Sequence, residues 1–217
     1  MQRIFDILIS LSIIFLLSPI LLITILTLRL TGEGKIFYIQ ERVGRNRVPF
    51  GLIKFVTMRI NSEKEGLGTI TTHGDVRVLP IGRYLRKSKL NEVPQIFNIL
   101  IGNMSFIGPR PLHQNQFYYY DSHDADVISS VRPGLSGVGS IFYRNEEDLL
   151  SANISNPKDF YKNFITPNKA RLEKWYVKNK SISLYFKLIM LTILVVVNCE
   201  IDVEKILKIN KSSSVGD

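Results

Sequence analysis

The chain has 217 residues, 45% of them hydrophobic, and a formal net charge of +9 at pH 7. This length suits one domain with an appendage, and the basic balance favours anionic partners such as nucleic acid, phosphorylated metabolites or an acidic membrane surface. The single cysteine, Cys199, excludes an internal disulfide and a cysteine-based zinc site.

The first element is an apolar run from Ile7 to Leu28 without a charged residue. It is long enough to span a bilayer and too long for a cleaved signal peptide. One interpretation is a signal anchor with a single span. The other is a re-entrant hairpin, which is favoured by Ser18-Pro19 in the middle of the run and by basic residues on both flanks.

Short strands are predicted next, over Lys35–Gln40 and Pro49–Phe55, with a polar turn at residues 44–46 between them. Residues 61–74 are polar and contain glycine, which predicts a loop. Asp75 is placed to cap a helical stretch that ends at Lys87.

A helix is predicted from Glu92 to Ile101, with Asn91 as its N-cap and Gly102 as its stop. Glu92 is therefore expected at the helix N-terminus, where the helix dipole favours negative charge. One apolar face is expected from the helical spacing of Val93, Ile96, Phe97 and Leu100.

The second half of the chain reads as a helix over Leu112–Ser130, a loop over Val131–Ser140, and helices that start at Pro157 and Pro167. Glu146 and its acidic neighbours are typical of a solvated helix start. The apolar stretch over residues 184–197 is interrupted by a lysine, and it predicts either a core helix or a helix lying at a membrane interface.

Basic residues beside glycine or proline are candidates for phosphate binding, because guanidinium groups grip phosphate in a bidentate manner. These candidates are Arg77, Arg83, Arg86, Lys87, Arg110 and Arg132. The alternative is that some of them are solvated helix faces or headgroup contacts. Glu92 is the best candidate for a catalytic acid, with capping as its alternative role. No nucleic-acid-binding signature accompanies the basic residues, and nucleic acid is not expected as a partner.

Several segments together resemble the bacterial sugar transferase family, the monotopic phosphoglycosyl transferases. They are QERVGRNRVPFGLIKFVTMR, LNEVPQ, GPRP, VRPGLSGVGSI and LEKWYVKNKS, and they follow the order of the family. The combination of GPRP, LNEVPQ and KFVTMR is highly specific, whereas each segment alone is weak. The resemblance covers nearly the whole chain and brings Lys54, within KFVTMR, into the set of expected substrate-binding residues.

The resemblance implies a bacterial inner-membrane protein with its catalytic domain on the cytoplasmic face. Members transfer a sugar phosphate from a nucleotide diphosphate sugar, usually a UDP-sugar, to polyprenol phosphate. They release UMP, require Mg²⁺, and initiate the synthesis of exopolysaccharide, capsule, O-antigen or glycoprotein glycans. The N-terminal helix of the family turns back at a Ser-Pro kink, which matches Ser18-Pro19 here.

One position departs from the family. The motif has an Asp-Glu pair, in which the Asp is the nucleophile and the Glu is associated with the metal. Glu92 matches the Glu, but Asn91 occupies the place of the Asp. An amide is a poor nucleophile. Glu92 as a replacement nucleophile, direct attack by the lipid phosphate, and a catalytically inactive membrane scaffold all stay open.

The expected fold class is α+β. Residues 1–31 are expected to form a re-entrant membrane helix. Residues 32–211 are expected to form the cytoplasmic transferase domain, with a small β-element and several helices partly lying at the membrane interface. Residues 212–217 are expected to be a tail. A homodimer is left open.

Overall fold

A computed structural model of the protein describes residues 1–31, 33–59, 62, 76–146, 149, 150, 157–197, 203–207 and 209. The helices are α1 (Gln2–Leu30), α2 (Pro80–Lys87), α3 (Gln95–Ile101), α4 (Gln114–Phe117), α5 (Ser122–Ser129), α6 (Val138–Phe142), α7 (Pro157–Phe160), α8 (Thr166–Asn179), α9 (Ile182–Val196) and α10 (Val203–Leu207). The strands are β1 (Phe37–Val43), β2 (Pro49–Phe55), β3 (Ser105–Ile107) and β4 (Gly134–Ser136).

The chain divides into two compact units. The amino-terminal unit comprises Arg3–Arg42 and Pro49–Met104, and the carboxy-terminal unit comprises Met1–Gln2, Val43–Val48 and Ser105–Asp217. Strand β1 pairs with β2, and β3 pairs with β4. This mixture of helices and small sheets confirms the predicted α+β class. The domain boundaries expected at residues 31 and 211 stay predictions.

Helix α1 is long and apolar enough to cross a membrane by length and composition. It has 29 residues and continues through Pro19, although proline removes one backbone hydrogen bond. The neighbouring Ser18 hydroxyl donates to the carbonyl of Phe15 at 2.8 Å. The helix therefore exists as predicted, and its re-entrant arrangement stays a prediction.

The core of the amino-terminal unit joins α1 to β2 and α2. Leu28, Phe55 and Leu85 are buried together, and partly buried aliphatic side chains of α1 and α2 surround them. Helix α3 is attached to β2 through the buried Asn98, whose amide nitrogen donates to the carbonyl of Gly51 and whose amide oxygen accepts from the N–H of Ile53. These contacts fix the frame that carries residues 80–101.

Two predicted helix starts in this unit are wrong. Helix α2 begins at Pro80, because proline suits the first helical turn, and Val78 before it forms a β-bridge with Met58 instead. The expected cap at Asp75 and the loop over 61–74 lie outside the described residues, apart from Ser62. Helix α3 begins at Gln95, after a 3₁₀ turn over Leu90–Glu92.

The end of α3 agrees with its prediction, because Gly102 has a left-handed φ of 100° and caps the helix. The predicted apolar face does not agree. Ile96 and Ile99 are buried, whereas Phe97 is exposed. The buried face also carries Gln95 and Asn98, so hydrogen bonding to β2 has set the rotation of the helix rather than apolar spacing alone.

The carboxy-terminal unit is built around the parallel strands β3 and β4, with Ser105 opposite Gly134 and Ile107 opposite Ser136. Strand β4 and the start of α6 lie inside the segment that the sequence predicts as a loop. The glycines of this segment allow the close pairing, since a Cβ on Gly134 would overlap the backbone of Gly108. The helix predicted over Leu112–Ser130 is instead two short helices, because Asp121 caps the second one.

The last helices pack onto this small sheet. Helix α7 begins at Pro157 as predicted, but a π-helical turn, Tyr161–Ile165, continues it into α8. The predicted start at Pro167 is therefore inside a continuous helical run. Proline has no N–H for the preceding turn, and the wider turn lies directly before it.

Helix α9 combines the two alternatives that its sequence left open. Tyr185, Leu188 and Leu191 are buried, and Thr192 shares a 2.9 Å hydrogen bond with Ser136 of β4. Its other face exposes apolar side chains, among them Met190. One face is therefore core, and the opposite face is an apolar surface. The tail over 212–217 lies outside the described residues.

Candidate active site

Asn91 and Glu92 lie in the 3₁₀ turn Leu90–Glu92, which starts after Lys89 in a left-handed conformation with φ of 59°. The Glu92 N–H donates to the carbonyl of Lys89 at 3.1 Å. The prediction that Asn91 caps α3 is wrong, because Pro94 is the N-cap residue and no side-chain capping bond forms there. Glu92 likewise precedes the helix instead of starting it.

The amide oxygen of Asn91 is buried and, among the described residues, has no hydrogen-bond partner. A buried polar atom without a partner costs free energy, roughly 1–3 kcal/mol. Such an atom is unusual in a native fold and indicates a ligand or water that completes it. Glu92, the next residue, is half-buried. The turn therefore offers one amide oxygen and one carboxylate side by side in sequence.

Four of the predicted phosphate-binding residues precede this turn in the sequence and belong to the same amino-terminal unit. Arg83 and Lys87 are exposed on α2, and Lys54 is half-buried on β2. The Arg86 Nε donates to the hydroxyl of Thr57 at 3.0 Å, which holds its guanidinium against β2. The structure thus brings a basic helix and the Asn91–Glu92 turn into one compact unit.

Arg77 has a different environment. Its side chain is only 4% exposed, and one of its Nη atoms donates to the carbonyl of Ser62 at 2.9 Å. Its own carbonyl accepts from the N–H of Arg59. Arg77 therefore serves the packing of this unit, and the substrate contact expected of it stays a prediction.

A groove with a volume of about 510 Å³ opens between the second half of α1 and α2. Its lining is mostly apolar, with Lys87 at its edge, and includes Ile23, Thr27, Ile81, Tyr84, Leu85 and Lys87. Lys87 is three residues before the start of the turn that carries Asn91. The groove is thus a mostly apolar surface, and the α2 side of its lining lies close in sequence to the candidate catalytic residues.

Arg110 and Arg132, the remaining predicted residues, lie in the carboxy-terminal unit. Arg110 is exposed between two prolines, and Arg132 is half-buried. Their loops contact each other, since the N–H of Gly134 donates to the carbonyl of Pro109 at 2.8 Å and a Cβ on Gly108 would overlap the carbonyl of Arg132. The structure therefore unites the GPRP and VRPG segments as neighbouring loops.

Next to these loops lies a buried charge network that the sequence analysis did not identify as a site. Glu173, on α8, is 3% exposed and accepts the backbone N–H groups of Arg110 and Gly139, while its Oε2 atom is buried without a hydrogen-bond partner among the described residues. Lys169, one turn earlier, is 6% exposed and forms an ion pair with Glu146. Glu146 is half-buried and partly exposed, so the prediction of a solvated position holds only in part. In the sequence, the i and i+4 spacing of Lys169 and Glu173 is the signal that could have indicated that these two residues lie on the same side of the helix.

Burial dominates the electrostatics of this network. It raises the pKa of Glu173 from 4.5 to about 8, while Lys169 and the two backbone N–H groups act in the opposite direction. Burial also lowers the pKa of Lys169, and the carboxylate of Glu146 opposes that shift. The rings of Tyr143 and Tyr161 lie 5.4 and 5.3 Å from the Lys169 ammonium.

The residues of the turn fit a magnesium ion in part. Mg²⁺ prefers hard oxygen ligands and is usually held by one or two carboxylates together with substrate phosphates and water. Glu92 supplies a carboxylate, and the unpartnered amide oxygen of Asn91 supplies a second hard ligand. Among the described residues no three His, Cys, Asp or Glu side chains cluster, so the other ligands would have to come from phosphate and water.

The relatives of this chain are sugar-phosphate transferases and exopolysaccharide proteins. It is 36% identical over 170 residues to the UDP-N-acetylgalactosamine-undecaprenyl-phosphate N-acetylgalactosaminephosphotransferase of Aeromonas hydrophila, covering 75% of this chain and 39% of that protein. It is 31% identical over 195 residues to the UDP-glucose:undecaprenyl-phosphate glucose-1-phosphate transferase of Klebsiella pneumoniae, covering 88% and 39%. The chain thus spans 39% of the length of each of these two relatives.

A shorter relative is matched over most of its length. The chain is 35% identical over 159 residues to the exopolysaccharide production protein ExoY of Sinorhizobium fredii, covering 67% of this chain and 70% of that protein. The family model described as bacterial sugar transferase matches residues 1–199, which include every predicted site residue. The chain therefore belongs to the bacterial sugar transferase family.

Proposed function

We propose that this protein transfers a sugar phosphate from a UDP-sugar to polyprenol phosphate and releases UMP. The phosphoanhydride bond of the donor breaks, UMP leaves, and the sugar-bearing phosphate becomes bonded to the lipid phosphate. The observation that carries the proposal is the turn with the half-buried Glu92 beside the unpartnered Asn91 amide oxygen, in the same unit as a basic helix. The named activities of the relatives support the same reaction.

Two routes accomplish this transfer without an aspartate at position 91. In one, the Glu92 carboxylate attacks the sugar-bearing phosphorus, expels UMP, and then yields the sugar phosphate to the lipid phosphate. In the other, the lipid phosphate attacks the donor directly. Asn91 orients groups in both routes. Trapping with a labelled UDP-sugar and mass spectrometry separates them, because only the first leaves an adduct on Glu92.

A magnesium ion at this turn would be held by Glu92 and by the Asn91 amide oxygen. When bound, Mg²⁺ neutralises charge on the phosphates of the donor. The cationic side chains of this chain have the complementary task of binding phosphate oxygens. We assign that task to Arg83, Arg86 and Lys87, with Lys54 and Arg77 as further predicted contacts and Arg110 and Arg132 as predicted donor-phosphate contacts.

We also propose that both ends of α1 face the cytoplasm. The buried residues of the helix are at its two ends, namely Asp6, Ser10, Thr24 and Leu28. Side chains in its middle, such as those of Phe15 and Leu16, are among its most exposed. An apolar helix with anchored ends and an exposed middle suits insertion into one leaflet and return.

The anchors of α1 support this topology further. Arg3 donates to the carbonyls of Ile99 and Leu100 at the end of α3, and Leu28 packs with Phe55 and Leu85. Both sets of contacts belong to the amino-terminal unit. A full span would place the two ends on opposite sides of about 30 Å of hydrocarbon. The unit that both ends contact could then not lie on one side of the membrane.

The topology is tested by cysteine labelling. Gln2→Cys in a Cys199→Ser background should react with a membrane-impermeant maleimide only after the cells are permeabilised. Lys180→Cys in the same background is the matched control for a cytoplasmic position. Labelling of residue 2 in intact spheroplasts, with residue 180 protected, contradicts the hairpin. Pro19→Ala should shift molecules towards that labelled state, since it restores the helix hydrogen bond.

The groove between α1 and α2 is our proposed site for the first isoprene units of the acceptor. Its lining is apolar, and the positive charge of Lys87 at its edge complements the lipid phosphate. Ile23→Trp should fill the groove and raise KM for polyprenol phosphate without changing KM for the UDP-sugar. Leu22→Trp, an exposed neighbour outside the groove, is the control. Equal effects of the two variants would remove the assignment.

The function is tested by measuring UMP release from a panel of UDP-sugars with polyprenol phosphate and Mg²⁺. At least one donor should support release that is abolished by chelation and strongly reduced in Arg110→Ala. Lys178→Ala, an exposed change at the end of α8, should leave the rate unchanged. The panel also identifies the sugar.

A second candidate function follows from Asn91 itself. A neutral amide in the place of the family's nucleophile also suits an inactive membrane scaffold. This alternative predicts no UMP release with any donor and normal glycan synthesis in cells that carry Glu92→Gln. The intact loops around Arg110 and Arg132 favour the enzyme.

A further inference from the structure

Glu173 makes an unusual pair of contacts at the junction of two sequence motifs. Its carboxyl group accepts the backbone N–H of Arg110, in GPRP, and that of Gly139, in the segment after VRPG. A Cβ on Gly139 would lie 2.4 Å from the Oε1 atom of Glu173, so the glycine permits this close approach. The carboxyl group thus joins the two loops through their main chains.

The contact with Arg110 is the more informative of the two. Pro109 and Pro111 have no N–H, so Arg110 carries the only backbone donor of this three-residue stretch. Glu173 accepts that donor, while the carbonyl of Pro109 accepts the N–H of Gly134 on the other side. Both contacts hold the one planar peptide unit between Pro109 and Arg110, from its two opposite edges. The exposed Arg110 side chain therefore leaves the loop from a peptide unit of defined position.

The position of Glu173 is itself fixed by its surroundings. It is buried on α8, and the Tyr176 hydroxyl of the same helix donates to the carbonyl of Ile107, three residues before Arg110, at 3.1 Å. Lys169, also on α8, faces Glu173 and lies against two tyrosine rings. Helix α8 therefore presents the carboxyl group to the loop from a rigid element.

We propose that Glu173 is a positioning residue, which orients Arg110 towards the phosphate of the nucleotide sugar by holding its backbone N–H. This inference rests on the proposed function, in which Arg110 contacts the donor. It assigns to a buried carboxyl group a role in donor binding that is distinct from the catalytic role of Glu92.

The test compares Glu173→Leu, which removes the acceptor, with Glu173→Gln, which keeps an acceptor oxygen and the shape. Misplacing a substrate-binding group by about 1 Å costs on the order of 10²-fold in rate. We expect kcat/KM for the UDP-sugar to fall by about that factor in Glu173→Leu and to be largely rescued in Glu173→Gln. KM for polyprenol phosphate should not change.

A double-mutant comparison separates positioning from general stabilisation. In an Arg110→Ala background, Glu173→Leu should cost almost nothing further, because the side chain that it orients is gone. Glu146→Gln is the matched control, since it disturbs the same buried network but leaves the Arg110 N–H contact in place. It should lower thermal stability without lowering kcat/KM. An undiminished loss from Glu173→Leu in the Arg110→Ala background overturns the proposal.

Hydrogen–deuterium exchange gives a readout that does not need turnover. A peptide over residues 109–111 reports on the Arg110 amide, which should exchange faster in Glu173→Leu and normally in Glu146→Gln and Glu173→Gln. If the native protein releases no UMP, the proposed function fails by itself. The Glu173 proposal is then decided by this exchange and by UDP affinity, which should depend jointly on Arg110 and Glu173. Unchanged exchange in Glu173→Leu overturns it.

Discussion

Glu92 and Glu173, on which the two proposals rest, differ in burial, in secondary structure and in hydrogen bonding. Glu92 is half-buried in a short 3₁₀ turn of the amino-terminal unit, next to an amide oxygen that has no hydrogen-bond partner within the described part of the chain. Glu173 is buried in the middle of α8 and accepts two backbone N–H groups. We therefore propose a role in ligand binding for the first and a role in organising the protein for the second.

The difference teaches how burial divides the tasks of a carboxyl group. A carboxylate with access to solvent stays available for a metal or a phosphate at little cost. A buried one is pushed towards its neutral form and becomes a local acceptor that organises loops. We therefore expect changes at Glu92 to affect chemistry without affecting folding, and changes around Glu173 to affect folding as well.

The largest expected effect is on the catalytic side of this comparison. Glu92→Gln should lower UMP release by roughly 10²–10⁴-fold, the usual range for loss of a catalytic acid or base. Its free energy of unfolding in detergent should change by less than about 0.5 kcal/mol, as for other exposed or half-exposed positions. Enzyme assays and urea unfolding of the same preparation check both halves. Turnover at the native rate would remove Glu92 from the mechanism.

The structural side is tested by Lys169→Met. This change breaks the ion pair with Glu146 and removes the cation that faces Glu173. Removal of one partner of a fully buried pair costs about 3–5 kcal/mol. Because Glu146 keeps partial access to solvent, we expect a smaller loss here, about 1–3 kcal/mol. Urea unfolding should show this loss. Lys178→Met, on the exposed end of the same helix, is the control and should cost less than about 0.5 kcal/mol. Equal costs for the two variants would contradict the buried network.

A smaller effect is expected from Asn91→Ala. The side chain does not cap α3, so the cost of about 0.5–2 kcal/mol that the loss of an N-cap brings should be absent. UMP release should nevertheless fall, because the amide oxygen is lost. Melting temperature and rate, measured together, check this separation. A large loss of stability with a normal rate would mean that Asn91 is only structural.

Asn91→Asp sharpens the same point. It restores the carboxylate pair of the family, and two adjacent carboxylates raise the pKa of one of them unless a cation lies between them. We expect Mg²⁺ to raise the melting temperature of this variant more than that of the native chain. An inactive native chain whose Asn91→Asp variant turns over would show that the protein is a disabled enzyme.

The last prediction concerns pH. Burial raises the pKa of Glu173 from 4.5 to about 8, so the folded protein keeps a proton that the unfolded chain has lost in this window. The stability that this proton contributes is full below the unfolded pKa and is lost as the pH rises through the folded one. Glu173→Gln lacks the titration. The melting temperature of this variant should therefore increase relative to that of the native chain as the pH rises through this window.

The surroundings of Glu173 determine how this experiment is read. The charged and titratable groups near it are Lys169, Arg110, Glu146, Tyr120, Tyr161 and Asp124. Burial lowers the pKa of Lys169, so its own contribution changes with pH in the opposite direction, between that lowered pKa and the ordinary one. Subtracting the melting temperature of Glu173→Gln from that of the native chain at each pH removes the contributions of the neighbouring groups, which both proteins carry. A constant difference across the window contradicts a raised pKa for Glu173.

The sequence predicted the features of this fold that local composition determines. The apolar helix α1, strand β2, the stop at Gly102 and the motif residues around Glu92 follow from runs, propensities and family resemblance. The sequence did not predict strand β4, because three residues among glycines form a strand only when β3 lies beside them. The rotation of α3 also depends on a partner distant in sequence, since Asn98 bonds to β2.

The same distinction holds for the candidate site. Residues with a local signature, such as Arg110 between two prolines, were identified from the sequence alone. The network of Glu146, Lys169 and Glu173 was not, because a charged residue in a helix is ordinarily solvated and only tertiary packing buries it. The N-cap predicted at Asn91 failed for a related reason, since Pro94 is the better first-turn residue and delays the start of α3.

The contact of Arg3 with α3 also has a consequence for biosynthesis. The first carbonyl that Arg3 reaches lies 96 residues later in the chain. At a synthesis rate of about 5–20 residues per second, Arg3 is made roughly 5–20 s before that carbonyl exists. During this interval α1 is an apolar segment whose partners in α3 and in the Leu28 core have not been made. We therefore expect its insertion geometry to be chosen while it is still a nascent segment, and the later docking of Arg3 to retain that choice.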